Sequence, residues 1–288
     1  MLRITGKDLL CLCLMWWGVF TLGGCGAWGG EAQKVQVPVL IYHNISEDEA
    51  DGTLTPERLD AQLSALADAG YTTISFDELE DFVEGEGALP EKPIIFTFDD
   101  GYESNYRLAY PVFQKHNAKA TIFAIGVSVG KTTYKDTGKK MTPHFTLEEA
   151  AEMEASGLIS VQSHGYNLHE VKGYDQEPIR RGAQQREDES EEEYRAFLKQ
   201  DFETMKEVMG KTCTVLAYPY GLSSRESEEA ATEAGIKVTL SIDPKVSTVT
   251  RGDPQSMRLM GRINAESLSP EELIEKLDAA KEESRRPK

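Results

Sequence analysis

Short apolar runs alternate along this chain with amphipathic stretches of helical period, from residue 37 almost to the C-terminus. Val37-Pro38-Val39-Leu40-Ile41-Tyr42 predicts a first buried strand. Thr55-Pro56 opens a helix, with a hydroxyl N-cap, proline at the first helical position and Gly70 as its stop. Tyr71 to Ser75 reads as a strand, Phe76 to Val83 as a short helix, and Pro93 to Phe98 as a buried strand. A helix over 104–116 precedes a strand over Ala118 to Ile125. Thr146 and Glu149 form a capping box for a helix that stops at Gly157, followed by the apolar run Leu158-Ile159-Ser160-Val161. An irregular excursion over 172–186 and an acidic run from Glu187 to Glu193 come next. The helix that follows carries Tyr194, Leu198, Phe202, Met205 and Met209 on one stripe. Cys213 to Tyr218 is a strand, 224–234 a helix, 236–241 a strand and Leu259 to Asn264 a last strand-like stretch. Ser269-Pro270 caps a final helix, with a tail from Lys281 to Lys288 expected to fray. Seven or so strands alternating with helices predict an α/β domain of parallel βαβ units. The pattern does not separate an open doubly wound sheet from a closed barrel.

The first 24 residues stand apart. Arg3 and Lys7 precede an apolar stretch from Leu9 to Phe20, and small residues lead to a cysteine, as in a secretory signal. Leu22-Gly23-Gly24-Cys25 resembles a bacterial lipobox, which makes Cys25 a lipid-anchor candidate. The expected organisation is a signal over 1–24, a tether over 25–36 and one domain over 37–288. The expected location is the outer face of the bacterial cytoplasmic membrane, or outside the cell if the protein is freely secreted. Cys11 and Cys13 fall in the leader and Cys213 is left as a small buried hydrophobe, so no disulfide framework is expected. The formal charge is −18, and loss of Arg3, Lys7 and Asp8 makes it one unit more negative. That excludes nucleic acid as a natural partner and suits a neutral or cationic polymer.

Chemistry concentrates in two stretches. Thr97-Phe98-Asp99-Asp100-Gly101-Tyr102 ends a buried strand in two adjacent carboxylates, which a buried strand has no reason to do unless something there binds or neutralises them. Ser163-His164-Gly165-Tyr166-Asn167-Leu168-His169 places two of the five histidines five residues apart. One carboxylate and two imidazoles make a three-ligand set for a zinc-like ion with a position left open, and the spare carboxylate is then a general base. Gly126 to Thr132 is one residue short of a phosphate-binding loop and is rejected as one.

These residues resemble the NodB-type polysaccharide deacetylases, carbohydrate esterase family 4. Thr97 to Gly101 matches the first family motif, and the His164-to-His169 loop is similar to the poly-N-acetylglucosamine deacetylase branch. Ala217-Tyr218-Pro219-Tyr220-Gly221 stands in the place of a third motif. The resemblance covers roughly 37–265 and implies an irregular (β/α) barrel. It also implies metal-dependent hydrolysis of N-acetyl amides on N-acetylglucosamine polymers, either peptidoglycan or exopolysaccharide, with no nucleic acid and no obligate protein partner. Asp100, His164 and His169 hold the metal on this reading, most simply Zn2+ with Co2+ or Ni2+ also suited. Asp99 is the base, and Tyr220 supplies an oxyanion donor and part of the sugar pocket.

The chain departs from the family pattern in three places. No histidine follows His169, so His43 becomes the general acid, with His144 as its rival, while His116 reads as a structural residue. Ala217 replaces the arginine that orients the base. Arg262 is grouped with Tyr220 at the oxyanion and substrate side and is also a candidate to hold Asp99. The family's Asp-Trp motif has no counterpart, since Trp16, Trp17 and Trp28 lie in or beside the leader. Two alternatives stay open at this point: a catalytically inactive carbohydrate-binding lipoprotein on the same scaffold, and an amidase acting on another small acetylated molecule.

Overall fold

A computed structural model of the protein describes residues 32–48 and 54–285. The expected signal and Cys25 lie outside the described residues. Ten strands occur among those described. In chain order they are β1 (Lys34–Val37), β2 (Val39–Tyr42), β3 (Thr72–Thr73), β4 (Pro93–Phe98), β5 (Ala120–Ala124), β6 (Ile159–Ser163), β7 (Val215–Ala217), β8 (Val238–Leu240), β9 (Ser247–Thr250) and β10 (Ile263–Asn264). Seven of them pair in parallel in the order β10-β2-β4-β5-β6-β7-β8, with the short β3 beside β4. The sheet curls into the expected irregular (β/α) barrel. Met260, in the stretch that leads into β10, bridges in parallel to Leu240 on β8 and brings the two edges together.

Around the sheet run α1 (Pro56–Asp68), α2 (Phe76–Glu84), α3 (Tyr110–His116), α4 (Leu147–Ala155), α5 (Glu191–Met209), α6 (Arg225–Glu233) and α7 (Pro270–Ser284). Thr146–Glu149 and Ser269–Glu272 make the reciprocal capping bonds their spacing predicts, and Thr55 caps α1 by accepting from Arg58 N–H. Strand side chains alternate between two cores. Leu40, Tyr42, Phe96, Phe98 and Ile122 face outward against α1, α3 and α7, while Val39, Ile95, Phe123, Val215 and Leu240 fill the inside of the curl.

The strand register places the chemistry on one rim. Tyr42 pairs with Phe98, Phe98 with Ile122, Ala124 with Ser163, Ser163 with Leu216 and Ala217 with Leu240. The strands therefore end level with one another, and the residues just beyond them, including His43, Asp99 and His164, share the carboxyl-terminal end of the barrel, where such folds carry their sites.

Two expectations are corrected. The compact unit begins at Ala32, and Lys34 to Gln36, expected as tether, belong to β1, which pairs antiparallel with β9. The partners are more than two hundred residues apart in sequence, so local pattern carries no trace of the pairing. Lys281 to Ser284, expected to fray, are helical instead. The Gln36 amide donates to Lys281 O, Arg285 Nε donates to Gln36 Oε1, and Lys281 Nζ donates to Tyr71 Oη, which holds α7 helical to Ser284.

Gln62 on α1 ties β2 to the segment that follows its neighbour β10. It accepts from Tyr42 Oη at 2.7 Å and donates to Ala265 O and Leu268 O, both at 2.8 Å, just beyond β10. Gln62→Leu leaves Tyr42 Oη and Leu268 O without partners, Ala265 O keeping only the Leu268 N–H, and is expected to lower stability by about 2–4 kcal/mol. A urea midpoint equal to wild type would refute that role.

Candidate active site

β4 delivers the two carboxylates. Asp99 keeps the ladder, its N–H donating to Tyr42 O at 2.8 Å, and continues the inward series of Ile95 and Thr97. Asp100 leaves it, in the left-handed region at φ 72°, followed by Gly101 at φ 79°. It is this reversal, more than simple strand alternation, that turns the two carboxylates in different directions. A non-glycine residue there is strained, and such strain persists only where the surroundings enforce it. Gly101 is required for a second reason: a Cβ on it would stand 3.1 Å from Ala124 Cα.

Both histidines follow β6. The His164 N–H still bonds Ala124 O, and its ring Nδ1 donates to Ala217 O at 2.8 Å. That bond fixes the tautomer and leaves the Nε2 lone pair free, 3.6 Å from Asp100 Oδ1. His169 reaches the same oxygen with Nε2 at 3.7 Å. Its Nδ1 lies 3.2 Å from Tyr220 Oη, which itself donates to Glu170 O, so the imidazole is the donor and Nε2 is again the free nitrogen. One donor atom from each of Asp100, His164 and His169 falls within 4.8 Å of the others. Asp100 Oδ1 is buried and has no hydrogen-bond partner. A buried carboxylate oxygen without a proton donor, facing two imidazole lone pairs, is the environment of a cation, so these residues fit a divalent metal. Burial keeps His164 neutral, holding its pKa down against the pull of Asp99 and Asp100.

Asp99 is clamped. Arg262 Nη1 and Nη2 donate to its two oxygens at 2.6 and 2.8 Å, while Arg262 Nε donates to Ser241 O at 3.0 Å and Nη1 also reaches the Thr97 hydroxyl. Burial alone would raise the Asp99 pKa, but the Arg262 guanidinium outweighs burial and holds it at about 2. Arg262 is 1% exposed and its donors point at these groups. Grouping it with the oxyanion and substrate contacts is therefore corrected: no face of it is left for substrate. It sits where the arginine replaced by Ala217 would have to act, arriving from the opposite side of the rim.

His43 follows β2 and bonds Glu266 Oε1 through Nδ1 at 2.8 Å. Burial pulls its pKa down, but Glu266, Asp99 and Asp100 outweigh burial and raise it to about 9. His144 is also brought to the rim, its ring 5.1 Å from that of Tyr102, with a buried Nδ1 that lacks a partner. Burial lowers its pKa, which disfavours a protonated donor there. His116 is not at the site and pairs with Asp60. The Tyr220 backbone is left-handed, φ 57°, and its ring is 43% exposed beside His169, 4.5 Å between centroids. Neither Glu266 nor Asp201 was among the candidates drawn from the sequence. Glu266 lies in a loop without periodicity. Asp201 lies on the buried side of α5 between Leu198 and Phe202, and a charge on an apolar stripe was the available signal.

Removing the clamp leaves a buried carboxylate unpaired, so Arg262→Met is expected to destabilise the protein by about 3–5 kcal/mol. Arg262→Lys keeps the charge, loses the paired geometry and falls between the two. Urea unfolding at neutral pH decides this, and wild-type stability in Arg262→Met would refute the clamp.

The family described as polysaccharide deacetylase matches residues 86–239. YxkH of Bacillus subtilis, named for the same family, is 30% identical over 227 residues, 78% of this chain and 71% of its own. A Staphylococcus aureus poly-β-1,6-N-acetyl-D-glucosamine N-deacetylase is 23% identical over 225 residues, covering 77% of this chain and 72% of its own. The structure of a de-N-acetylase from Aggregatibacter actinomycetemcomitans shares the fold with a TM-score of 0.70 at 23% identity, over 84% of this chain and 100% of that one. With a family match over more than half its length and a relative at this level of identity, the chain belongs to the polysaccharide deacetylase family.

Proposed function

We propose that the protein hydrolyses the N-acetyl amide of N-acetylglucosamine units in a polysaccharide outside the cell, with a divalent metal held by Asp100, His164 and His169. One observation carries the reading: an unpartnered carboxylate oxygen and two free imidazole nitrogens converge next to a second carboxylate that a buried arginine keeps ionised. The donor set of one oxygen and two nitrogens suits zinc and also accepts cobalt or nickel. When bound, such an ion supplies a Lewis acid for the acyl oxygen and a more acidic water.

The chain's own residues divide the proton transfers. Asp99, ionised at any working pH and fixed by Arg262, accepts the proton of the attacking water. His43, protonated at neutral pH and held at Nδ1 by Glu266, presents Nε2–H and protonates the amine nitrogen as the C–N bond breaks, leaving acetate and a free amine. Environments that push two titrating groups to opposite sides of neutrality are what an acid–base pair requires. Tyr220 lines the sugar pocket with its exposed ring, and its backbone N–H in the left-handed turn serves the developing oxyanion. The S. aureus relative's name supports an N-acetylglucosamine polymer as substrate. The leader and lipobox-like Cys25 support export with a lipid anchor, and the acidic charge suits a polymer that becomes cationic as it reacts. A purely carbohydrate-binding role gives no reason for a buried arginine to hold a spare carboxylate ionised beside the ligand set.

Acetate release from β-1,6-linked N-acetylglucosamine oligomers tests the proposal. Release is expected to need zinc, to stop with chelator, and to fall by about 10²–10⁴-fold in Asp99→Asn. Failure to release acetate from any such oligomer or from peptidoglycan, with metal bound, would point instead to a binding protein. The pH profile tests His43. A pKa raised above the ordinary 6.5 means that the charged, donating form persists to higher pH, so activity should fall only as pH passes about 9. Glu266→Gln removes a carboxylate that raises this pKa and should move the alkaline limb to lower pH. An unmoved limb would take the acid role away from His43.

A further inference from the structure

The loop between the two histidines hangs from a carboxylate that no part of the chemistry uses. Asp201 is fully buried in the middle of α5, in the stripe formed by Tyr194, Leu198, Phe202 and Met205, where an apolar residue would pack without desolvating a charge. Its hydrogen bonds run to two consecutive backbone amides. Oδ2 accepts from Tyr166 N–H at 2.8 Å and Oδ1 from Asn167 N–H at 2.6 Å. On the loop's other side the carbonyls of Gly165 and Tyr166 accept from Gly126 N–H and Val127 N–H at 3.0 and 2.9 Å. The loop is thus gripped at its midpoint through both its donors and its acceptors. His164 needs no such help, because its own N–H is still in the ladder with Ala124. His169 lies beyond the gripped amides; Tyr220 holds its ring and a backbone bridge to Arg181 its far side, while the gripped amides set the path of the loop back to His164.

We infer that Asp201 is a positioning residue for the metal centre: by holding the Tyr166 and Asn167 amides it sets the separation of the His164 and His169 Nε2 atoms, and hence the affinity for a divalent ion. The inference rests on the metal reading proposed above. Partners of metal ligands typically carry 10–100-fold in affinity, and an amide pair that fixes the ligand loop belongs to that class. Asparagine at 201 offers one acceptor oxygen in place of two and directs an NH2 at the other amide, so the loop loses one of its two holds.

Zinc affinity measured by competition with a chromophoric chelator decides the matter, on wild type, Asp201→Asn and Leu277→Ala. Leu277 is buried on α7, so its truncation lowers the unfolding midpoint without touching the loop. Asp201→Asn is expected to bind zinc 10–100-fold more weakly, while Leu277→Ala binds as wild type despite its lower stability. A folded Asp201→Asn with wild-type affinity would overturn the inference, and so would an equal loss in Leu277→Ala. Wild type that binds no zinc would overturn the metal reading itself and this inference with it. Should Asp201→Asn not fold, amide exchange on metal-free wild type gives the answer. Protected Tyr166 and Asn167 amides support the grip, and exchange as fast as in an open loop refutes it.

Discussion

A carboxylate that is buried and must stay charged is the constraint on which this structure turns. Asp99 continues the inward face of β4, which is apolar below it, and buried there it either meets a cation or takes a proton. Arg262 meets it from the stretch that brings the sheet's far edge back round. The same guanidinium bonds Ser241 beyond β8 and reaches Thr97 on β4, so one side chain joins the motif strand to the seam of the barrel. Closure of the curl and the ionisation state of Asp99 are for this reason one problem with one solution. The apolar interior that makes the isolated charge costly also makes the bidentate pair strong.

The rest of the rim follows from how little the backbone leaves unused. Ala217 occupies the position where the resembled family has an arginine, yet its carbonyl still serves the site by fixing the tautomer of His164. Tyr220 performs the corresponding task for His169 through its hydroxyl. Each of the two imidazoles is thereby oriented by a group at the end of β7 or just beyond it, and each presents the same nitrogen to Asp100. Glu266 stands to His43 much as Arg262 stands to Asp99. One neighbour raises a pKa, the other lowers one, and both come from the few residues around β10. The amides of Gly126 and Val127, in the glycine-containing stretch that falls short of a phosphate loop, are likewise already bonded to the histidine loop.

The sequence by itself determined the alternation of strands and helices, the caps, and the ligand candidates, because these are local matters. Burial on both faces writes continuous apolar runs. Capping chemistry repeats at a spacing of three. Two carboxylates at the end of such a run, and two imidazoles after the next but one, stand out against their surroundings. Asp99, Asp100, His164 and His169 were legible for that reason, while Tyr220 came from the family resemblance and His43 from its strand-end place together with that resemblance, and the structure brings all six to one rim. Only tertiary structure could decide the partners. Arg262 reaches Asp99 across 163 positions, Glu266 reaches His43 across 223, and β1 finds β9 from opposite ends of the domain. Nothing in local periodicity encodes which strand edge a curled sheet returns to. The tautomers, the depressed and raised pKa values and the grip of Asp201 on the ligand loop are all properties of that closure, since each depends on a charge or a carbonyl supplied from a distant part of the chain.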